Sequence, residues 1–131
     1  MENIDIKEIP DAPFFPAVNF KSETGICEIK GESYMEETFK FYSPLIDWLK
    51  RYIEEGNTSI TFNFKLTYFN TSSSRQILDI IETLKKYQQD GGDVKIMWHY
   101  DPDDPDMCDE VEDFKIETGM DIELIPLYSE D

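Results

Sequence analysis

Apolar residues alternate in twos along some stretches of this chain and recur every three or four along others. The changes of period divide it into elements. Ser59 to Leu66 has the clearest period of two, with Ile60, Phe62, Phe64 and Leu66 on one face and Thr61, Asn63 and Lys65 on the other. That is the pattern of a half-buried strand. Phe15 to Phe20 and Gly25 to Lys30 read as two further strands around the turn Lys21-Ser22-Glu23-Thr24-Gly25, an antiparallel hairpin. Asp93 to Tyr100, where Val94, Ile96 and Trp98 alternate with Lys95, Met97 and His99, and Asp121 to Leu127 complete the set.

Between strands the period lengthens. From about Glu36 to Glu55, Phe39, Tyr42, Ile46, Leu49 and Ile53 recur at helical spacing, and Gly56 follows as a stop. A second stripe, Phe41, Leu45, Trp48 and Tyr52, lies beside the first and widens the apolar face. Core packing accounts for most of that width; Trp48 or Tyr52 offered to a partner is the lesser reading. Pro44 leaves two options open: Ser43-Pro44 starts the helix as cap and first residue, or the helix runs on and kinks. After Asn70, Ile77, Ile80, Ile81 and Leu84 share one side with Leu78 at the flank, until Gly91-Gly92. Asp101 to Gly119 is acidic, and Met107, Val111 and Phe114 mark a short amphipathic helix in it.

The order β-β-α-β-α-β-α-β predicts an α/β fold, a mixed and mostly parallel sheet of about five strands with about three helices. Residues 1–14, charged and broken by Pro10 and Pro13, are expected to be a flexible N-terminal arm. Residues 15–131 then form a single domain, long enough to bury a core.

A net charge of −17 changes the list of partners. Nucleic acid and anionic lipid are repelled at long range, since phosphate contacts need clustered Lys and Arg. No apolar run nears the ~20 residues of a membrane-spanning helix. The first residues lack the basic start and apolar centre of a signal peptide, so a cytoplasmic protein is expected. Cys27 and Cys108 are far apart without a CxxC spacing and read as reduced thiols. One histidine, His99, and no HExxH spacing argue against the commoner zinc sites.

The loop Asp101-Pro102-Asp103-Asp104-Pro105-Asp106 invites a calcium reading, but an EF-hand would want a ligand at Pro105 and glycine at Asp106. A small-molecule or divalent-metal module built on residues 101–113 is the alternative function to weigh. No nucleophile motif or phosphate-binding glycine loop occurs, so no enzyme, cofactor or resident metal is expected.

The densest chemistry lies at Leu66-Thr67-Tyr68-Phe69-Asn70-Thr71-Ser72-Ser73-Ser74, where a strand gives way to a helix. A helix start presents unpaired N–H groups and the positive end of its dipole. Ser73-Ser74-Arg75-Gln76 satisfies a capping box, and Thr71 or Ser72 serves equally well as cap. Asn70 with four consecutive hydroxyl residues exceeds what one helix needs. A phosphate on Thr71 would be held by the N–H groups, with Arg75 four residues on. Tyr68 is expected to be partly exposed where the strand ends.

Tyr68-Phe69-Asn70-Thr71-Ser72-Ser73 resembles the signature of the SiaC family of bacterial regulatory phosphoproteins. Gly31-Glu32-Ser33-Tyr34, Leu45-Ile46-Asp47-Trp48 and Trp98 extend the similarity over roughly residues 15 to 125. The resemblance implies a STAS-like small sandwich, similar to anti-sigma factor antagonists, with a reversibly phosphorylated hydroxyl at a helix start. By position that hydroxyl is Thr71, with Tyr68, Asn70, Ser72, Ser73 and Arg75 as partner-binding or phosphate-supporting neighbours. The partners it implies are a histidine-kinase-like ATPase-domain protein kinase, a PP2C-type phosphatase and a diguanylate cyclase. The function it implies is a non-enzymatic switch over cyclic di-GMP and biofilm formation.

Overall fold

A computed structural model describes residues 1–128. Among them the chain forms β1 (Ile4–Ile6), β2 (Ala17–Lys21), β3 (Ile26–Ser33), α1 (Thr38–Glu54), β4 (Ser59–Phe69), α2 (Thr71–Gln89), β5 (Asp93–Tyr100), α3 (Pro105–Thr118) and β6 (Glu123–Pro126). One sheet runs in chain order from β1 to β6. β1 with β2 and β2 with β3 are antiparallel; the three pairings from β3 to β6 are parallel. The expected mixed, mostly parallel α/β sheet with three helices is what forms.

The core lies on one side of this sheet. Ile60, Phe62, Phe64 and Leu66 are all buried, as their alternation predicts. A row of aromatic contacts crosses it: Trp48 of α1 on Phe20 (5.2 Å), Phe20 on Phe62 (5.5 Å), Phe64 on Trp98 (4.7 Å) and Trp98 on Phe114 of α3 (6.0 Å). α2 packs between α1 and α3, so the three helices form one layer over that face. The opposite face carries half-buried polar residues such as Asn63, Lys65, Glu28 and His99.

Three expectations change, and the choice left open at Pro44 is settled. The sheet has six strands rather than about five, because the supposed flexible arm contributes one. Ile4 and Ile6 pair with Phe20 and Val18 and pack against the core, while the Asn3 side chain accepts from Ser22 N–H at 2.8 Å. Three residues are too short to show a period, which is why that strand is hidden in the sequence. The helix is continuous through Pro44. Its core face is the second stripe, Leu45, Trp48 and Tyr52 with Tyr42 and Leu49. Phe39 is 71% exposed, and Ile46 and Ile53 are only partly covered. Trp48 is therefore no free surface: its ring lies in the core and its Nε1–H donates to Glu2 O at 2.8 Å.

Candidate functional site

The region around Thr71 is shaped by one surplus residue. Gly31 lies opposite Leu66 and Glu32 opposite Tyr68, so Thr67 is skipped and the β3–β4 ladder bulges there. Gly31 has φ of +117°, which a side chain would strain. The bulge breaks the alternation. Phe69, three residues after the inward Leu66, now also points under the helices, against Trp98 (5.8 Å) and Phe114 (5.7 Å). Tyr68 turns outward, 52% exposed, with its ring edge-on to Tyr34 at 5.8 Å.

The chain then enters α2 at Asn70. Its backbone is extended (φ −84°, ψ 175°), and its side chain accepts a hydrogen bond from Ser73 N–H at 2.8 Å. Asn70 is thus the cap, not Thr71, Ser72 or Ser73, because an amide oxygen one residue earlier reaches the third N–H of the helix. The N–H of Asn70 itself donates to Ser33 O at 3.0 Å, anchoring the helix start to β3.

Ser73 is not a surface residue, which corrects its expected role. It is fully buried and closes a small ring of hydroxyls: Ser33 Oγ donates to Ser73 Oγ at 2.8 Å, and Ser73 Oγ donates to Ser33 O at 2.9 Å. Tyr42 Oη lies 2.7 Å from Ser33 Oγ and is the donor that remains. Burial pushes the Tyr42 phenol up to about 12, with its hydrogen bond to Ser33 acting the other way, so it stays a neutral donor. This ring ties α1, β3 and α2 together beneath the surface.

Above it, Thr71 and Ser72 are exposed, as first and second residues of α2. Arg75 is also exposed and faces Asp79, with Nε 3.9 Å from Oδ1. That pair is long and well solvated, so it holds the guanidinium weakly. The structure therefore gathers Tyr68, Asn70, Thr71, Ser72 and Arg75 at one corner and removes Ser73 to the interior.

Beside this corner the sequence reading missed a row of rings: Tyr34 on Phe14 (6.0 Å), Phe14 on Phe15 (4.9 Å) and Phe15 on Phe41 (5.6 Å). It continues the Tyr68–Tyr34 contact across the surface between β2 and α1. Its one sequence signal is Phe14-Phe15 between Pro13 and Pro16, a rigid apolar pair where the supposed arm meets the first expected strand.

The acidic segment does not gather a cation site. Asp101 Oδ1 accepts from Asp103 N–H at 2.9 Å, closing a turn that leads into α3 with Pro105 in its first turn. Among the described residues no three His, Cys, Asp or Glu side chains are grouped to hold a metal ion. His99 lies away from the corner, on the polar sheet face, with Nε2 3.0 Å from Asn63 Oδ1. Nor is any described helix long and apolar enough to cross a membrane.

Comparison with known proteins agrees with this fold. The family model described as SiaC family regulatory phosphoprotein matches residues 9–127. An uncharacterised protein of Pseudomonas aeruginosa (strain UCBPP-PA14) is 30% identical over 107 residues, which cover 82% of this chain and 85% of that protein. The crystal structure of apo-SiaC from Pseudomonas aeruginosa superposes with a TM-score of 0.86 at 26% identity, over 95% of this chain and 99% of that one. A chain in the crystal structure of the diguanylate cyclase SiaD in complex with its activator SiaC, from the same species, gives 0.84 at 27% identity, over 91% and 98%.

Proposed function

Because the chain belongs to the SiaC family of regulatory phosphoproteins, we propose that it is a non-enzymatic switch, phosphorylated and dephosphorylated on Thr71, that controls a diguanylate cyclase. The observation that carries this reading is the contrast within the hydroxyl run. Thr71 is open to a kinase at the first position of α2, while the cap is Asn70 and Ser73 is locked below. A capping role is thereby already filled, and Thr71 is left with none.

The chemistry is a simple transfer. Thr71 Oγ1 attacks the γ-phosphorus of ATP, the bond to the bridging oxygen breaks, ADP leaves, and the hydroxyl proton passes to a base on the kinase. Hydrolysis by a phosphatase returns the hydroxyl and inorganic phosphate. A histidine-kinase-like ATPase-domain kinase and a PP2C-type phosphatase are the partners in this reading, and its use of ATP sets it in the cytoplasm. Phosphorylation adds about two negative charges and three acceptor oxygens at a helix start whose first N–H groups are free to receive them. The dianion then stands next to exposed Tyr68. A partner that covers Tyr68 would have to strip water from it, so the unmodified form is the one that engages the cyclase.

The test is phosphoryl transfer from ATP by a cognate histidine-kinase-like ATPase-domain kinase, followed by peptide mass mapping. Phosphate is expected on Thr71, absent in Thr71→Ala and retained in Ser72→Ala. Cyclase activation by the unmodified protein, and its loss after phosphorylation, completes the expectation. Phosphate on another residue, with Thr71→Ala labelled like wild type, overturns it.

A further inference from the structure

α1 and α2 leave an open groove between them on the outer surface of the helix layer, about 830 Å³ in volume. It is lined along nearly the whole of both helices, from Phe39 to Glu54 on α1 and from Gln76 to Asp90 at the end of α2. At 1.5 Å per residue that is a trough about 20 Å long, room for a helix of about four turns. Phe39, Ile46 and Ile53 project into it at intervals of seven residues, the spacing at which a neighbouring helix presents its own apolar side chains. Phe39 is 71% exposed, an unusual place for a phenylalanine that none of the described residues covers.

The charge on its walls selects the occupant. Five carboxylates, Asp47, Glu54, Asp79, Glu82 and Asp90, face two lysines, Lys50 and Lys86. Gln76 adds a separate sign. It is only 8% exposed, and its side-chain Oε1 is enclosed without a hydrogen-bond donor. An unpaired buried acceptor is costly, and a donor brought in from the groove would relieve it. A second copy of this chain is the wrong occupant, because each copy carries −17 and the walls are acidic already. Nucleic acid is excluded on the same ground.

We propose that the α1–α2 groove is the docking site for a basic amphipathic helix of the partner protein, seated on Phe39, Ile46 and Ile53 and flanked by lysines or arginines that meet the carboxylates. This rests on the reading of the chain as a regulatory docking protein, but not on the identity of the phosphorylated residue. Gln76 lies five residues beyond Thr71 on the same helix, so the regulated corner and the groove adjoin.

The probe is a synthetic amphipathic helix about four turns long, with leucines on one face and lysines elsewhere, compared with the same peptide carrying glutamates for the lysines. In a titration of the isotope-labelled, unphosphorylated protein followed by NMR, the lysine peptide is expected to saturate. Its shifts should cluster on Phe39, Ile46, Ile53, Asp79 and Thr83, and the affinity should fall steeply with added salt. Phe39→Asp should weaken binding at least tenfold with the circular dichroism spectrum unchanged, since that ring supports nothing inside the core. Equal binding of the glutamate peptide overturns the proposal, as do shifts confined to the sheet face or undiminished binding by Phe39→Asp. The titration uses protein that has met no kinase, so its failure and that of the phosphoryl-transfer assay are separate results.

Discussion

Asn70 and Ser73 divide the duties that the sequence offers to any member of the hydroxyl run. Asn70→Ala removes the cap of α2 and is expected to cost about 1 kcal/mol. Ser73→Ala leaves Ser33 Oγ and the Ser33 carbonyl short of a partner inside the core, at an expected cost of about 1–3 kcal/mol. Ser72→Ala, on the surface, should fall within about 0.5 kcal/mol of wild type. Urea denaturation ranks the three, and Ser72→Ala proving the most harmful would contradict the assignment. No local signal could have separated them: the partner of Ser73 is Ser33, forty residues away. His99 makes a second prediction. Partial burial first, and then the Lys65 cation, hold its imidazole below the ordinary histidine value, with Glu28 pulling the other way. The folded protein thus binds that proton less readily than the unfolded chain. Stability from this group is full above a pH of about 6.5 and is lost as pH falls through the lower folded value. His99→Gln should therefore show a shallower fall in urea midpoint than wild type as pH is lowered across that window.

At the scale of elements, the strand with the strongest alternation, β4, was legible from Ile60 to Leu66, and so were the hairpin and the ends of α2 at Asn70 and Gly91. α1 was legible as a helix but not in its rotation. Two apolar stripes lie side by side on it, and pattern alone does not say that Leu45 faces the sheet while Phe39 faces water. The sheet decides that, through Trp48 against Phe20. Pro44 sits in the seventh position of this 17-residue helix, exposed, and leaves the Lys40 carbonyl without its usual donor. Pro44→Ala is expected to raise stability by about 2 kcal/mol, the ~3 kcal/mol helix penalty less the ~1 kcal/mol that proline's stiffness takes from the unfolded chain. A lower urea midpoint for the variant would show that the helix depends on the proline.

Over the whole molecule, charge is the largest departure from an ordinary domain. At −17, self-repulsion opposes compaction, and its range shrinks to about 3 Å in 1 M salt. Raising sodium chloride from low concentration should therefore raise the melting temperature, read by circular dichroism; an unchanged or lower value would mean that local ion pairs outweigh the overall repulsion. The layering has its own logic. Parallel sheets are usually roofed on both sides, yet here the three parallel pairings have helices on one side only, and the other is a lattice of polar side chains such as Lys65 bound to Glu28 at 2.6 Å. One side of each strand is greasy and the other wet, so a change in strand length is a matter of odd and even. A single residue inserted ahead of Phe62 would wheel the rings of β4 into solvent and drive Lys65 beneath the helices, whereas a pair would restore the faces. Thr67 is the odd insertion already tolerated, placed after the last buried residue, where turning the chain over harms nothing and brings Tyr68 into the open.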